Sequence, residues 1–294
     1  MPETEKNRVE GGTLYLVATP IGNLADMTER GVKVLTECDF IAAEDTRNTA
    51  GLLAYFGIRK ELVSYHEHNK KSRGGEIAAR LEGGESCALV TDAGMPAISD
   101  PGEDLVRLCG EHGIPVRIVP GACAAVSALA LSGLATGRFA FEGFLSANRG
   151  ERKKRLEEIR TERRTLIFYE APHKLRATLA DLLATFGDRK LSLCRELTKR
   201  NEETVRTTTA GAVAYYETHE PRGEYVLVLA GAEETTGETY RPPVDEDLLS
   251  LSPAAHVARY ESAGLVRMDA IKAAARDRGM TKSELYRILA ADKA

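Results

Sequence analysis

Short apolar runs recur along this chain with helix-length segments between them, and that alternation constrains the fold more than any other feature. Residues 13–18 (TLYLVA), 40–43, 62–65, 87–91 and 116–119 read as strands, and residues 27–37, 49–56, 75–82, 103–112 and 124–131 as helices. An apolar run of about four to eight residues bounded by turn residues is a strand buried on both faces. A repeated strand–helix rhythm builds a parallel or mixed sheet between helical layers, so the fold class is α/β.

The rhythm changes character over residues 138–148 (RFAFEGFLSAN), where a strand and a loop lead into a strongly basic helix over 149–164. Strands follow at 165–169, 191–195 and 224–230, with helices at 173–186 and 210–219. This places a boundary near residues 134–137, between a first α/β domain over 13–135 and a second over 136–231. Residues 1–12 are polar and read as a disordered tail. Residues 232–249 are acidic, contain proline and lack periodicity, which is the composition of a linker. Residues 250–294 read as a helical module. Ser252 is an N-cap before Pro253 at the first helical position, Gly264 and Gly279 are helix stops, and Thr281 with Glu284 forms a capping box. Three short helices with an exposed basic side resemble a helix-turn-helix, and any small three-helix bundle gives the same pattern.

Composition removes several function classes. No apolar run approaches the roughly 18 residues that span a bilayer, and the N-terminus is not basic-then-apolar, so neither a membrane span nor a secretory signal is expected. Cys38, Cys87, Cys109, Cys123 and Cys194 are scattered without a CxxC pair, which points to a reducing cytoplasm rather than to disulfides or a zinc module. His66-Glu67-His68-Asn69 offers two histidines without a clear third ligand, and no metal is expected. The net charge of −4 excludes a surface that coats nucleic acid throughout. Charge is uneven, however. Residues 250–294 carry eight Lys/Arg against five Asp/Glu, and residues 149–164 hold Arg149, Arg152, Lys153, Lys154, Arg155, Arg160, Arg163 and Arg164. Such a helix can meet phosphates, or it can be a solvated face neutralised by Glu157, Glu158 and Glu162.

The most informative loop is TDAGMPAISDPG at residues 91–102, directly after an apolar strand. Ligands of open α/β sheets bind beyond the carboxyl ends of strands. Two glycines and two prolines let the backbone approach a ligand on a fixed path, and Asp92 and Asp100 suit ribose hydroxyls or an ammonium group. Neither GxGxxG nor GxxxxGK[ST] follows the first strand, which leaves phosphate-bearing nucleotides without support. The first strand runs instead into Thr19-Pro20-Ile21-Gly22-Asn23-Leu24, a loop with little positive charge that suits a cofactor without phosphates.

TPIGNL at 19–24, AEDTR at 43–47, DAGMPAISDPG at 92–102, PG at 120–121, FYEAPHK at 168–174 and RELTK at 195–199 occur in one order. Together they resemble the tetrapyrrole-methylase-type (class III) methyltransferases and, within that group, the ribosomal RNA small-subunit methyltransferase I family. The resemblance covers residues 12–231, and the C-terminal helices resemble that family's appended module. It implies two α/β domains with S-adenosylmethionine in the cleft between them, usually in a homodimer. It implies 2′-O-methylation of one cytidine ribose in the decoding centre of 16S rRNA in the 30S subunit. By the same resemblance the cofactor is held by Pro20, Gly94, Met95, Ile98, Ser99, Asp100, Ala122, Cys123 and Tyr169.

Methyl transfer to a hydroxyl requires alignment of oxygen, methyl and sulfur, and removal of the hydroxyl proton. Glu44, Asp45, Glu170 and Glu196 are the candidate bases, and the sequence does not choose among them. Arg47, Lys153, Arg195 and Lys199 are the candidate contacts to RNA phosphates. A macrocycle methyltransferase or a diphthine-type enzyme of the same fold is the nearest alternative, and a non-enzymatic nucleic-acid-binding regulator the alternative of another class. The basic segment and the extra helices favour RNA over a macrocycle, and the Gly/Pro loops favour an enzyme over a regulator.

Overall fold

The computed structural model describes residues 8–232, 248–249, 251–262 and 265–291. By internal contacts the chain forms two units, Met1–Glu234 and Thr235–Ala294.

The first unit contains two five-stranded sheets. The first sheet takes β1 (Leu14–Val17), β2 (Phe40–Ala43), β3 (Glu61–Ser64), β4 (Cys87–Val90) and β5 (Val116–Val119) in the order β3-β2-β4-β1-β5. Every pairing in it is parallel. Helices α1 (Glu29–Glu37), α2 (Thr46–Tyr55), α3 (Lys70–Glu82) and α4 (Gly102–Glu111) cover it. Strands β1, β2 and β4 are buried along their whole length because each face meets a separate apolar cluster. That double burial is why they read as continuous apolar runs rather than alternating ones. Connections leave the adjacent strands β1 and β4 towards opposite edges, and the crevice at their carboxyl ends is where such folds place ligands.

The second sheet takes β6 (Phe139–Phe144), β7 (Thr165–Glu170), β8 (Lys190–Arg195), β9 (Glu203–Thr208) and β10 (Tyr225–Leu229) in the order β6-β7-β10-β8-β9. Only β6 and β7 run parallel, and the remaining pairs are antiparallel. Helices α6 (Arg149–Glu158), α7 (Pro172–Phe186) and α8 (Thr209–Thr218) build the core on one face. The other face is covered by α5 (Ala124–Ser132), through Ala125, Ala128 and Leu129. By packing, α5 therefore serves the second sheet, and the chain crosses between the layers at Pro120-Gly121 rather than at residues 134–137. Strand β9 is absent from the sequence expectation. It is a polar edge strand, ETVRTT, paired among the described residues only with β8, and so carries no apolar run.

The basic segment is shorter and more committed than its charge suggests. Its helix ends at Glu158 rather than at residue 164. Arg152 is buried against Asp181 at 2.8 Å, and Arg155 reaches Glu142 at 2.7 Å. Lys153 and Lys154 lie exposed on the same helix. Residues 8–12, expected as part of a disordered tail, are fastened to the first sheet. Gly12 donates its N–H to the Glu85 carbonyl, and Glu10 pairs with Arg117. Residues 1–7 of that tail and residues 233–247 of the expected linker lie outside the described residues.

The second unit contains α9 (Pro253–Ser262), α10 (Arg267–Asp277) and α11 (Lys282–Ala291), packed through Val257, Ile271, Ala274 and Leu285. The capping box forms as expected. The Thr281 N–H donates to the Glu284 carboxylate at 2.7 Å, and the Glu284 N–H donates to the Thr281 hydroxyl at 3.3 Å. Ser252 accepts from the Ala255 N–H, and Gly279 ends α10 at a φ of +67°. Gly264 lies outside the described residues. Among the described residues no helix is long and apolar enough to cross a membrane.

Candidate active site

A cavity of about 420 Å³ opens where the carboxyl ends of β2 and β4 face the ends of β7 and β8 and the start of β10. Its floor is the loop between β4 and α4. Thr19 and Gly94 exchange both backbone hydrogen bonds, at 2.9 and 3.1 Å, and the Thr19 hydroxyl donates to the Thr91 carbonyl. The TPIGNL and DAGMP loops are thereby tied into one bed. Gly94 sits at a φ of +84°, in the left-handed region, with Ile21 packed closely over the position a Cβ would take.

Beyond Gly94 the loop turns sharply. Ala97 and Ser99 both hold positive φ, at 66° and 63°. The Asp100 side chain maintains that path. Its Oδ1 accepts from the Ala97 N–H at 2.9 Å and the Gly102 N–H at 2.7 Å. Its Oδ2 is buried without a hydrogen-bond partner. A buried carboxylate oxygen left unpaired is costly, so its position in the cavity wall marks a place for a donor from outside the chain.

The opposite wall comes from the second sheet. Tyr169 packs edge-on against Phe141 and Phe144, and its hydroxyl accepts from the Ala125 N–H at 3.2 Å at the start of α5. Burial pushes its phenol up to about 12, so it stays neutral at physiological pH. Glu170 is buried and committed, accepting from the Ala171 N–H and, at 2.5 Å, from the Thr178 hydroxyl. Glu196 is held by Lys199 at 2.9 Å and by the Glu224 N–H at 2.9 Å. Burial raises its carboxyl, but the Glu224 N–H and Lys199 outweigh that and leave it below the usual carboxylate range. Burial pulls the Lys199 ammonium down, and its bonds to Glu224 and Glu196 more than reverse that.

Glu44 accepts from the Thr91 hydroxyl at 2.9 Å and faces the same cavity from the end of β2. Its neighbour Asp45 does not line it. Asp45 caps α2 and grips Arg47, at 2.7 Å between Oδ2 and Nη2. Those bonds to Arg47 hold its carboxyl down at about 2.

The expected residues therefore divide by place. Gly94, Met95, Ile98, Ser99, Asp100, Cys123 and Tyr169 line the cavity, together with Glu44, Glu170, Glu196 and Lys199. Ala122 stands behind Gly94, its carbonyl near the position of the missing Cβ. Pro20 lines a second cavity of about 250 Å³, which shares Thr91 and Asp92 with the first. Arg47 and Lys153 are exposed outside both, and Arg195 lines a third cavity. Phe144, Ile21 and Glu224 belong to the main site without having been singled out. Phe144 ends β6 and Glu224 directly precedes β10, and the mixed pairing of the second sheet decides which strand ends reach the cleft. Asn69 accepts from the His66 N–H in the turn before α3, and among the described residues no cluster of three metal-ligating side chains occurs.

The two halves touch at Gly22. A Cβ there would lie 2.3 Å from Lys199 Cγ and 3.1 Å from the Leu197 carbonyl oxygen. Gly22→Ala is expected to push the RELTK loop off the TPIGNL loop, destabilising the first unit by about 1–3 kcal/mol. Thermal unfolding checks it, and an unchanged melting temperature would show that the loops move apart freely.

The sign of charge in the main cavity is informative. Among the described residues, Glu44, Asp92, Asp100, Glu170, Glu196 and Glu224 line it against the single cation Lys199. An acidic wall repels phosphates and favours a cationic ligand.

Comparison with known proteins agrees with this architecture. The family described as "Tetrapyrrole (Corrin/Porphyrin) Methylases" matches residues 13–213. The chain is 48% identical over 97% of both chains to the ribosomal RNA small subunit methyltransferase I of Halalkalibacterium halodurans. It is 44% identical to that of Bacillus subtilis, over 94% of this chain and 93% of the relative. Among solved structures, a uroporphyrin-III C-methyltransferase from Thermus thermophilus complexed with S-adenosylhomocysteine superposes with a TM-score of 0.53 at 20% identity, over 74% of this chain and 97% of the other. A diphthine synthase superposes with a TM-score of 0.57 at 15% identity, over 74% of this chain and 90% of the other. These two similarities concern the fold. With the match over residues 13–213 and the near full-length identity to curated relatives, the chain belongs to the tetrapyrrole methylase family and, within it, to the ribosomal RNA small subunit methyltransferase I family.

Proposed function

We propose that this protein transfers the methyl group of S-adenosylmethionine to the 2′-oxygen of a cytidine ribose in the decoding centre of 16S rRNA. The observation that carries the reading is the acidic cleft whose buried Asp100 oxygen lacks a partner, in a chain whose near full-length relatives are named for small-subunit rRNA methylation. The residues present fit this cofactor. Its ammonium and sulfonium suit the carboxylates, its hydroxyls and amine can donate to Asp100 Oδ2, and its lack of phosphates suits an acidic wall. When bound, it supplies a methyl carbon activated by the sulfonium. Gly94 and the turn at Ala97–Ser99 shape its bed, Tyr169 and Phe144 close the apolar side, and Glu44 takes the ribose proton. Lys153, Arg47 and Arg195 contact RNA phosphates from outside the acidic cleft. The resemblance also makes a homodimer the expected assembly and the cytoplasm the expected compartment. Exposed Val126 and Leu131 on α5 and Phe139 on β6 are available to a sister subunit.

The test is incubation with radiolabelled S-adenosylmethionine and 30S subunits lacking this modification, followed by mass-spectrometric mapping of the label. A methyl on a decoding-centre cytidine ribose is the expected result. Binding of the cofactor without transfer to 30S subunits or free 16S rRNA, or transfer to a porphyrinogen instead, would overturn the reading.

A further inference from the structure

The third cavity, about 240 Å³, lies on the opposite face of the second sheet from the main site. Tyr225 lines both. The alternation along the strands explains the relation. Cys194 and Val226 point to the α5 side, whereas Tyr225 packs with the α7 and α8 core and pairs in register with Arg195. Arg195 and Glu196 are thus neighbours in the chain that line different cavities, separated by the thickness of one strand end.

The cavity is lined by two dissimilar groups. Tyr215 and His219 are stacked, their rings 4.0 Å apart and within 7° of parallel, and Tyr215 is 47% exposed. Arg195 and Arg222 line the cavity as well. Arg195 Nη2 is bonded to Glu203 at 2.9 Å, while its Nε is buried and has no hydrogen-bond partner. Arg222 is exposed and makes no ion pair among the described residues. The carboxylates present are already engaged, Glu203 by Arg195 and Glu220 by Arg176 at 2.9 Å. Among the described residues Arg195 and Arg222 line the cavity with Glu203 and Glu220, and Arg222 is the guanidinium paired to neither carboxylate. The acidic wall of the main cleft repels phosphate, and here Arg222 offers it a guanidinium.

We propose that this cavity takes up a nucleotide of the RNA substrate flanking the methyl acceptor, its base stacked on the Tyr215–His219 pair and its phosphate on Arg222 and Arg195. Proteins that read unpaired RNA stack splayed bases on aromatic rings and clamp the backbone with arginine, and this cavity offers both. The strand runs over the end of the second sheet at Tyr225, so the acceptor ribose enters the main cavity while its neighbour is held outside. The proposal rests on the rRNA reading above and adds to it the surface that grips the substrate.

The experiment is a titration of a 16S rRNA fragment carrying the decoding region into wild type, Tyr215→Ala and Arg222→Ala over a series of salt concentrations. Both substitutions are at exposed side chains, and thermal melts confirm folding. Tyr215→Ala is expected to weaken binding about tenfold, a typical loss for one stacked base. Arg222→Ala is expected to lower the slope of log affinity against log salt by about one, the loss of one phosphate contact. In turnover the KM for RNA rises while affinity for S-adenosylmethionine keeps its wild-type value. Unchanged RNA affinity and slope in both variants overturn the proposal. So does a loss seen with assembled 30S subunits but not with free RNA, which would assign the cavity to a ribosomal protein. Binding is read without cofactor. A wild type that binds RNA but transfers no methyl would therefore defeat the methyltransferase reading while leaving this test intact.

Discussion

Replacing Asp100 by alanine is expected to weaken S-adenosylmethionine binding at least about 100-fold, which corresponds to roughly 3 kcal/mol. Its melting temperature will stay close to wild type. The reasoning is a balance of two opposed quantities. Ala97 and Ser99 hold left-handed backbone that costs about 1–3 kcal/mol each. Against this, Asp100 Oδ1 supplies two charge-assisted hydrogen bonds, to the Ala97 and Gly102 N–H groups, worth about 1.5–3 kcal/mol each. The terms are of equal size, so removing the carboxylate lets the loop relax out of its shape. The fold survives because β4 below the loop is buried on both faces independently of it. Asp100→Asn separates loop shaping from direct contact. Asparagine keeps an acceptor for the two N–H groups but turns the unpaired Oδ2 position into a donor. Affinity near wild type in Asp100→Asn would confine Asp100 to shaping the loop. Affinity as low as in the alanine variant would assign Oδ2 to the cofactor's own donors. Calorimetric titration reads both, and wild-type affinity in Asp100→Ala would remove the cofactor from this loop.

The parts of the site that were legible in the sequence are those fixed by local chemistry. DAGMPAISDPG follows a buried strand and carries the glycine and carboxylate that its turns require, and Gly94 and Asp100 occupy those roles. The first sheet was readable because β1, β2 and β4 are apolar on both faces. The second sheet was only partly readable. Strand β9 is a polar edge, and α5, apolar on nearly every side, gives no sequence sign of which sheet it covers. Side-chain pairing was invisible for the same reason. Arg152 looks like its neighbours in the basic run, yet its partner Asp181 lies on a different helix and buries it. Asp45 and Glu44 are adjacent and chemically alike. The N-terminus of α2 consumes one, and the cavity receives the other.

That last division selects the residue whose loss will most affect the chemical step. A general base needs a carboxylate that faces the acceptor and has a lone pair to spare. Asp45 is held at about 2 by Arg47 and lies outside the cavity. Glu170 has both oxygens engaged, and Glu196 is lowered and bound to Lys199. Glu44 is half-buried, lines the cavity, and has Oε2 bonded to the Thr91 hydroxyl at 2.9 Å, which aims the carboxylate without neutralising it. Glu44→Gln preserves the shape and an acceptor for Thr91 but removes the basicity. Its kcat is expected to fall about 100-fold, at the low end of general-base effects because alignment of oxygen and methyl supplies much of the acceleration. Cofactor affinity should stay within about twofold, since Gln matches Glu in size and in its bond to Thr91. A variant with wild-type kcat would show that water takes the ribose proton and that the cleft acts by positioning alone.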